Sequence, residues 1–167
     1  STVGLVPAIR RFADEGLQVG LAISLHAAND NDRSDLLPVN KRWPISELLS
    51  ACRDYVSKTN RRITFEWALI NGETDRVEQA HELGQLLRGL LCHVNVIPLN
   101  PTEGYEGKPS DPERVENFIN ALEEHGVSAS IRVRRGIDIE AGCGQLKAEV
   151  LKKLQHQPST IHFDEIE

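Results

Sequence analysis

Apolar positions along this chain switch repeatedly between the spacing of an amphipathic helix and that of a buried strand. Leu5 to Glu15 has helical spacing, with Pro7 in its first turn and Gly16 as its stop. Leu17 to Ser24 is a mostly apolar strand whose second half reads as buried on both faces. A long polar loop from Leu25 to Trp43 holds a short helix near Asp30 to Leu36. Pro44 opens a helix in which Ile45, Leu48, Leu49, Cys52 and Val56 share one face. Arg62 to Ile70 is the next strand, and Asp75 is placed to cap a helix carrying Val77, Ala80, Leu83, Leu87 and Leu90. A third strand, His93 to Pro98, runs into a Gly/Pro-rich loop that lasts to Ser110. Asp111-Pro112 then pairs a cap with a first turn, for a helix carrying Val115, Phe118, Ile119 and Leu122 and ended by Gly126. Val127 to Val133 is the last strand, and a helix from about Gly144 to Leu154 precedes a polar tail.

Strands alternating with amphipathic helices predict right-handed βα units and a parallel sheet. Four strands are too few to close a barrel of eight or six, so the pattern predicts a small open α/β sheet or half of a barrel. The 167 residues suit one domain, 1–167, with a sizeable core, and 40% hydrophobic with 26% charged residues is ordinary for a globular protein. Three cysteines, at 52, 92 and 143, are too few and too scattered for a disulfide framework. With no bilayer-length apolar run and no signal-peptide pattern, the expectation is a reduced, cytoplasmic protein without a membrane. A net charge of −6 weighs against nucleic-acid binding through bulk charge and leaves that work to a local basic patch. The chain contains no Met and opens on Ser1-Thr2-Val3-Gly4, which reads as a piece of a longer polypeptide starting just past a strand end. Ser1 or Thr2 is then available to cap the first helix.

Candidate chemistry falls in two places. Cys143 lies between glycines in Gly142-Cys143-Gly144, beyond the basic run Arg132, Arg134, Arg135. Glycines leave its sulfur unshielded, and nearby arginines favour the nucleophilic thiolate. A glycine-rich turn with an incidental cysteine is the plainer alternative. Ligand sites in parallel α/β sheets lie at the carboxyl ends of the strands. Those ends read Ser24-Leu25-His26, Leu69-Ile70-Asn71, Pro98-Leu99-Asn100 and Arg134-Arg135-Gly136, a polar set in which Ser24, His26 and Asn100 suit one small ligand. No phosphate loop or nucleophile elbow is present, and the six histidines show no metal spacing, so no metal is assigned to this segment. His81 and His125 are placed on exposed helix faces, while Cys52 and Cys92 are placed in the core.

Five blocks of the sequence resemble one family. They are Ser1-Thr2-Val3-Gly4-Leu5-Val6-Pro7, Ala22-Ile23-Ser24-Leu25-His26-Ala27-Ala28-Asn29-Asp30, Leu37-Pro38-Val39-Asn40, Asn95-Val96-Ile97-Pro98-Leu99-Asn100-Pro101 and Gly142-Cys143-Gly144-Gln145-Leu146. In this order they resemble the RlmN/Cfr family of radical S-adenosylmethionine enzymes, which methylate adenine in RNA, and in particular its housekeeping branch. The resemblance implies the carboxyl-terminal half of such an enzyme: about half of an incomplete six-stranded parallel (β/α) barrel with a carboxyl-terminal extension. It implies that Ser1, Ser24, Leu25, His26 and Asn100 contact S-adenosylmethionine. The family's [4Fe–4S] ligands follow the pattern Cys-x-x-x-Cys-x-x-Cys, which this sequence lacks, as it lacks the amino-terminal RNA-binding domain.

By the same resemblance Cys143 is the residue that becomes S-methylcysteine, taking a methyl group that then reaches C2 of adenine. The implied substrates are 23S rRNA and tRNA, with Arg132, Arg134 and Arg135 as RNA-binding candidates. The implied partners are an electron donor such as flavodoxin for a monomeric enzyme. This segment alone is expected to be inactive. Competing readings are a standalone α/β nucleoside-binding module without redox chemistry, a thiol enzyme pairing Cys143 with His26, and a resistance enzyme methylating C8.

Overall fold

The three longer strands send most of their large apolar side chains to one face of the sheet, and the described helices pack on that face. The computed structural model describes residues 1–99 and 107–132. They comprise α1 Val6–Asp14, β1 Leu21–Ser24, α2 Asp30–Leu36, a 3-10 turn Pro38–Lys41, α3 Ile45–Thr59, β2 Ile63–Leu69, α4 Val77–Leu87, β3 Cys92–Pro98, α5 Pro112–Glu124 and β4 Ala129–Ile131. The strands form one sheet in the order β1-β2-β3-β4, every neighbouring pair parallel, which is the α/β architecture expected. The strand order never reverses, so the sheet is wound in one direction, as in a barrel wall and unlike a doubly wound sheet.

Ile23, Phe65, Trp67, Val94 and Val96 join Ile9, Leu48, Tyr55, Leu83 and Phe118 in one core, so all four longer helices pack on the same side. Trp67 meets Phe118 with ring centroids 5.5 Å apart and donates its indole N–H to the Thr74 carbonyl at 2.8 Å. Cys52 and Cys92 lie in this core as anticipated, and burial pushes their thiols up to about 12 and about 11.

Several boundaries differ from the sequence pattern. The first strand starts at Leu21, not Leu17, because β2 offers its first partner only at Ile63 and leaves Leu17 and Val19 exposed. Thr2 still pairs with Ile23 in a parallel bridge, and its hydroxyl accepts from the Gly4 and Leu5 amides ahead of α1. Asp75 does not cap α4. It is buried, accepts the Gly72 amide at 2.9 Å, and takes both arms of Arg114 from α5, a better match for a buried carboxylate than one helix amide. Arg76 holds the cap position instead, its amide donating to Gln79. Leu90 follows α4 in a turn at Gly89, and the last strand contracts to Ala129–Ile131. His81 and His125 are half-buried rather than exposed, their ring nitrogens 3.1 Å apart, with His125 seated over Gly84. The final predicted helix lies outside the described residues.

Candidate active site

The face of the sheet opposite the described helices carries polar residues in register. Ser24, Glu66, Asn95 and Ser130 are successive partners across the four strands. Beside them, Thr64 is opposite His93, whose ring nitrogens lie 3.0 and 2.7 Å from the Ser128 and Ser130 hydroxyls. Asn95 donates to both oxygens of Glu66, at 3.2 and 3.1 Å, and Arg132 reaches back to within 4.0 Å of the same carboxylate. Glu66 and Asn95 were not singled out from sequence. The available signal was a charged residue at the middle of a strand, which reads as ordinary alternation until its neighbours on both sides are known.

At the carboxyl end of β1 the chain turns sharply. His26 takes a left-handed conformation, φ 58°, and the turn is held by the Leu25 and His26 amides donating to the Glu66 carbonyl. The Ala68 amide donates to His26 Nδ1 at 3.0 Å. A backbone amide only donates, so Nδ1 is the bare nitrogen and Nε2 carries the proton. Burial, with the nearby Arg33 charge, lowers the imidazole from 6.5 to about 4. His26 is therefore a neutral ring presenting one N–H donor.

Arg33 ties this turn to the start of the chain. Its guanidinium is fully buried and donates to the carbonyls of Val3 at 2.7 Å, Ser24 at 3.3 Å and Leu25 at 3.3 Å, and to Asn40 Oδ1 at 2.9 Å. Asn40 passes the contact on to Asp30, which also accepts the first amide of α3. Burial lowers the Arg33 pKa, against the opposing pull of Asp30.

Of the residues expected to share a site, Ser24 ends β1 and His26 lies two positions further along the chain. The Ser24 hydroxyl makes no hydrogen bond to another described residue. Leu25 sends its side chain into the core, leaving only its backbone at the turn. Ser1 precedes Thr2 at the open edge beside β1, and Arg132 continues the β3–β4 ladder through its amide bond to Val96. Asn100, Arg134, Arg135 and Cys143 lie outside the described residues.

Over 153 residues, 92% of its length, the chain is 58% identical to a protein of Myxococcus xanthus named dual-specificity RNA methyltransferase RlmN 1. The chain is similar to RlmN proteins over nearly its whole length. A probable RlmN of Caldanaerobacter subterraneus is 51% identical over the same length. The chain spans less than half of these curated relatives, 43% of the first and 45% of the second. A radical SAM methyltransferase structure from Sphaerobacter thermophilus superposes with a TM-score of 0.83 at 53% identity, covering 86% of this chain and 42% of that one. A domain of a pyruvate-formate lyase-activating enzyme from Bacteroides vulgatus shares the fold alone, at 17% identity and a TM-score of 0.58. No family model matches the chain.

The described residues do not offer an iron–sulfur ligand set. Cys52 and Cys92 are buried, protonated core thiols, and among the described residues no group of three or more His, Cys, Asp or Glu is arranged for a metal. No described helix is long and apolar enough to cross a membrane.

The neutral His26 has a consequence for acid stability. The unfolded chain binds a proton at this ring near pH 6.5, whereas the folded chain resists it to about pH 4. Folding stability is therefore expected to fall as pH drops through that window, by roughly 3 kcal/mol at full effect. Urea unfolding at pH 7 and pH 4.5, with His26→Asn as the control lacking this contribution, measures the difference. A ring titrating near pH 6.5 by NMR overturns the assignment.

Proposed function

We propose that this chain is the cofactor-binding and methyl-carrying part of an enzyme that methylates C2 of adenine in 23S rRNA and tRNA. The observation that carries the reading is the 58% identity to an RlmN across nearly the whole chain. The paired placement of Ser24 and His26 at one strand end supports it. S-adenosylmethionine supplies an electrophilic methyl group when bound. Ser24 and His26 suit it as a hydroxyl and a neutral N–H donor, with Ser1, Asn100 and the Leu25 backbone completing the proposed contacts. A neutral imidazole beside a sulfonium avoids the repulsion that an imidazolium would bring.

Cys143 is the proposed carrier. Its thiolate would take the methyl carbon by displacement as the sulfonium–methyl bond breaks and S-adenosylhomocysteine leaves with the electron pair, and the thioether would store the one-carbon unit for C2, which is not nucleophilic enough to take it by displacement. Arg132, Arg134 and Arg135 are proposed to hold phosphates beside the target base, which leaves its stack to be reached. The [4Fe–4S] ligands are assigned to residues outside this sequence, since its own cysteines do not fit the cluster. The reading extends to a cytoplasmic monomer served by an electron donor such as flavodoxin.

The test is to express the full-length protein in cells lacking their own RlmN-type enzyme and to analyse 23S rRNA by mass spectrometry. The expected product is 2-methyladenosine; 8-methyladenosine selects the resistance-type reading, and unmodified RNA rejects both. In the purified full-length protein, Asn100→Ala is expected to weaken S-adenosylmethionine binding by about ten- to a hundredfold. Unchanged affinity by calorimetry removes Asn100 from the site.

A further inference from the structure

Interior strands of a parallel sheet are ordinarily apolar on both faces. β2 and β3 each have a neighbour on both sides, yet their open face carries Thr64, Glu66, His93 and Asn95. Placing a carboxylate there carries a desolvation cost, since the Glu66 side chain is only 18% exposed. The two fully buried charges among the described residues, Arg33 and Asp75, have a visible structural task. Arg33 binds three backbone carbonyls, and Asp75 binds a backbone amide and the guanidinium of α5. The Glu66 side chain holds no backbone group among the described residues. Among the described residues its contacts are one amide nitrogen of Asn95, shared by both oxygens, and a loose ion pair with Arg132 at 4.0 Å.

A carboxylate has about four acceptor positions, and the shared Asn95 amide engages at most one on each oxygen. Acceptor capacity therefore remains on both oxygens, in the same row as the Ser24 hydroxyl. A carboxylate with two free lone pairs side by side is matched by two adjacent neutral donors. Arg132 already offsets its charge, so a cationic partner is not required.

We propose that Glu66, oriented by Asn95, is a ligand-contacting residue that accepts hydrogen bonds from the vicinal hydroxyls of a nucleoside ribose, with Ser24 as the adjoining contact. The inference rests on the reading that Ser24 and His26 line a nucleoside site, and it adds the group that recognises the sugar. The ribose belongs either to the cofactor or to the target nucleotide of the RNA, which share this chemistry.

The experiment uses the full-length protein, wild type and Glu66→Gln, with S-adenosylhomocysteine and its 2′,3′-dideoxy analogue titrated by calorimetry. A cofactor ribose predicts that Glu66→Gln weakens S-adenosylhomocysteine binding about ten- to a hundredfold while the dideoxy analogue binds both proteins alike. An RNA ribose predicts unchanged S-adenosylhomocysteine affinity, with weaker binding of an RNA whose target residue is adenosine and no effect when that residue is 2′,3′-dideoxyadenosine at a 3′ end. Should Glu66→Gln fail to fold, Asn95→Ala replaces it, with a smaller loss of several-fold against the same ligands. Equal affinities of variant and wild type for both ligand types overturn the assignment of Glu66 and leave the cofactor reading standing. A folded wild-type protein that binds no S-adenosylhomocysteine overturns that reading, and the inference with it.

Discussion

Cys143→Ala in the full-length protein is expected to leave no detectable 2-methyladenosine in cellular 23S rRNA. C2 of adenine is a poor nucleophile, so direct displacement on a sulfonium methyl is closed, and the proposed route passes through a carrier sulfur. The sequence has two other cysteines, Cys52 and Cys92, and both are buried in the core with thiols pushed up to about 12 and about 11. Neither is a thiolate at neutral pH, and neither is accessible to a nucleotide. Nothing in this chain therefore substitutes for Cys143. Mass spectrometry of the peptide spanning Gly142-Cys143-Gly144 should show one added methyl group in wild-type protein and none in the variant. Cys52→Ala, by contrast, is expected to retain activity and lose on the order of 1 kcal/mol of stability. Full methylation by the Cys143→Ala enzyme ends the carrier assignment.

The largest stability effect is expected at Arg33. Arg33→Met keeps much of the side-chain volume but strips donors from the Val3, Ser24 and Leu25 carbonyls and from Asn40. Buried acceptors left unpaired are costly, and breaking a buried charged network of this kind removes about 3–5 kcal/mol. Urea denaturation monitored by circular dichroism measures it, and a loss below about 1 kcal/mol shows that water or neighbouring groups replace the guanidinium. Arg33→Lys, which retains the charge but not the planar fork, should fall between the two. Because the three carbonyls belong to the chain start and the His26 turn, ligand affinity should weaken along with the fold.

The parallel architecture was legible because apolar runs and helix signals alternate without ambiguity, and because the direction of βα connections follows from handedness. The position of Ser24 and His26 at the carboxyl end of a strand was legible for the same reason. Other features depend on partners distant in sequence. Arg33 lies in a short polar helix with no local signal of burial, yet it is buried and donates to the Val3 carbonyl thirty positions away. Asp75 has the local signature of a helix cap, but Arg114 on α5 outbids the nearest helix amides with a bidentate ion pair. Glu66 alternates with apolar neighbours as a solvent-facing strand residue does, and only the flanking strands make its position unusual. For Asn100, Arg134, Arg135 and Cys143, which lie outside the described residues, local sequence and family resemblance remain the basis of assignment.

The left-handed backbone at His26 sets limits on neutral drift at that position. Glycine and asparagine tolerate such a φ best, while β-branched residues are strained there. Glycine offers no acceptor to the Ala68 amide, and asparagine has a shorter side chain with which to meet it and present a donor beyond. Backbone conformation and ring hydrogen bond thus each exclude most of the substitutions that the other allows. The position is constrained by the fold before any ligand adds its own demand, so survival of histidine there among variants is not by itself a signature of binding.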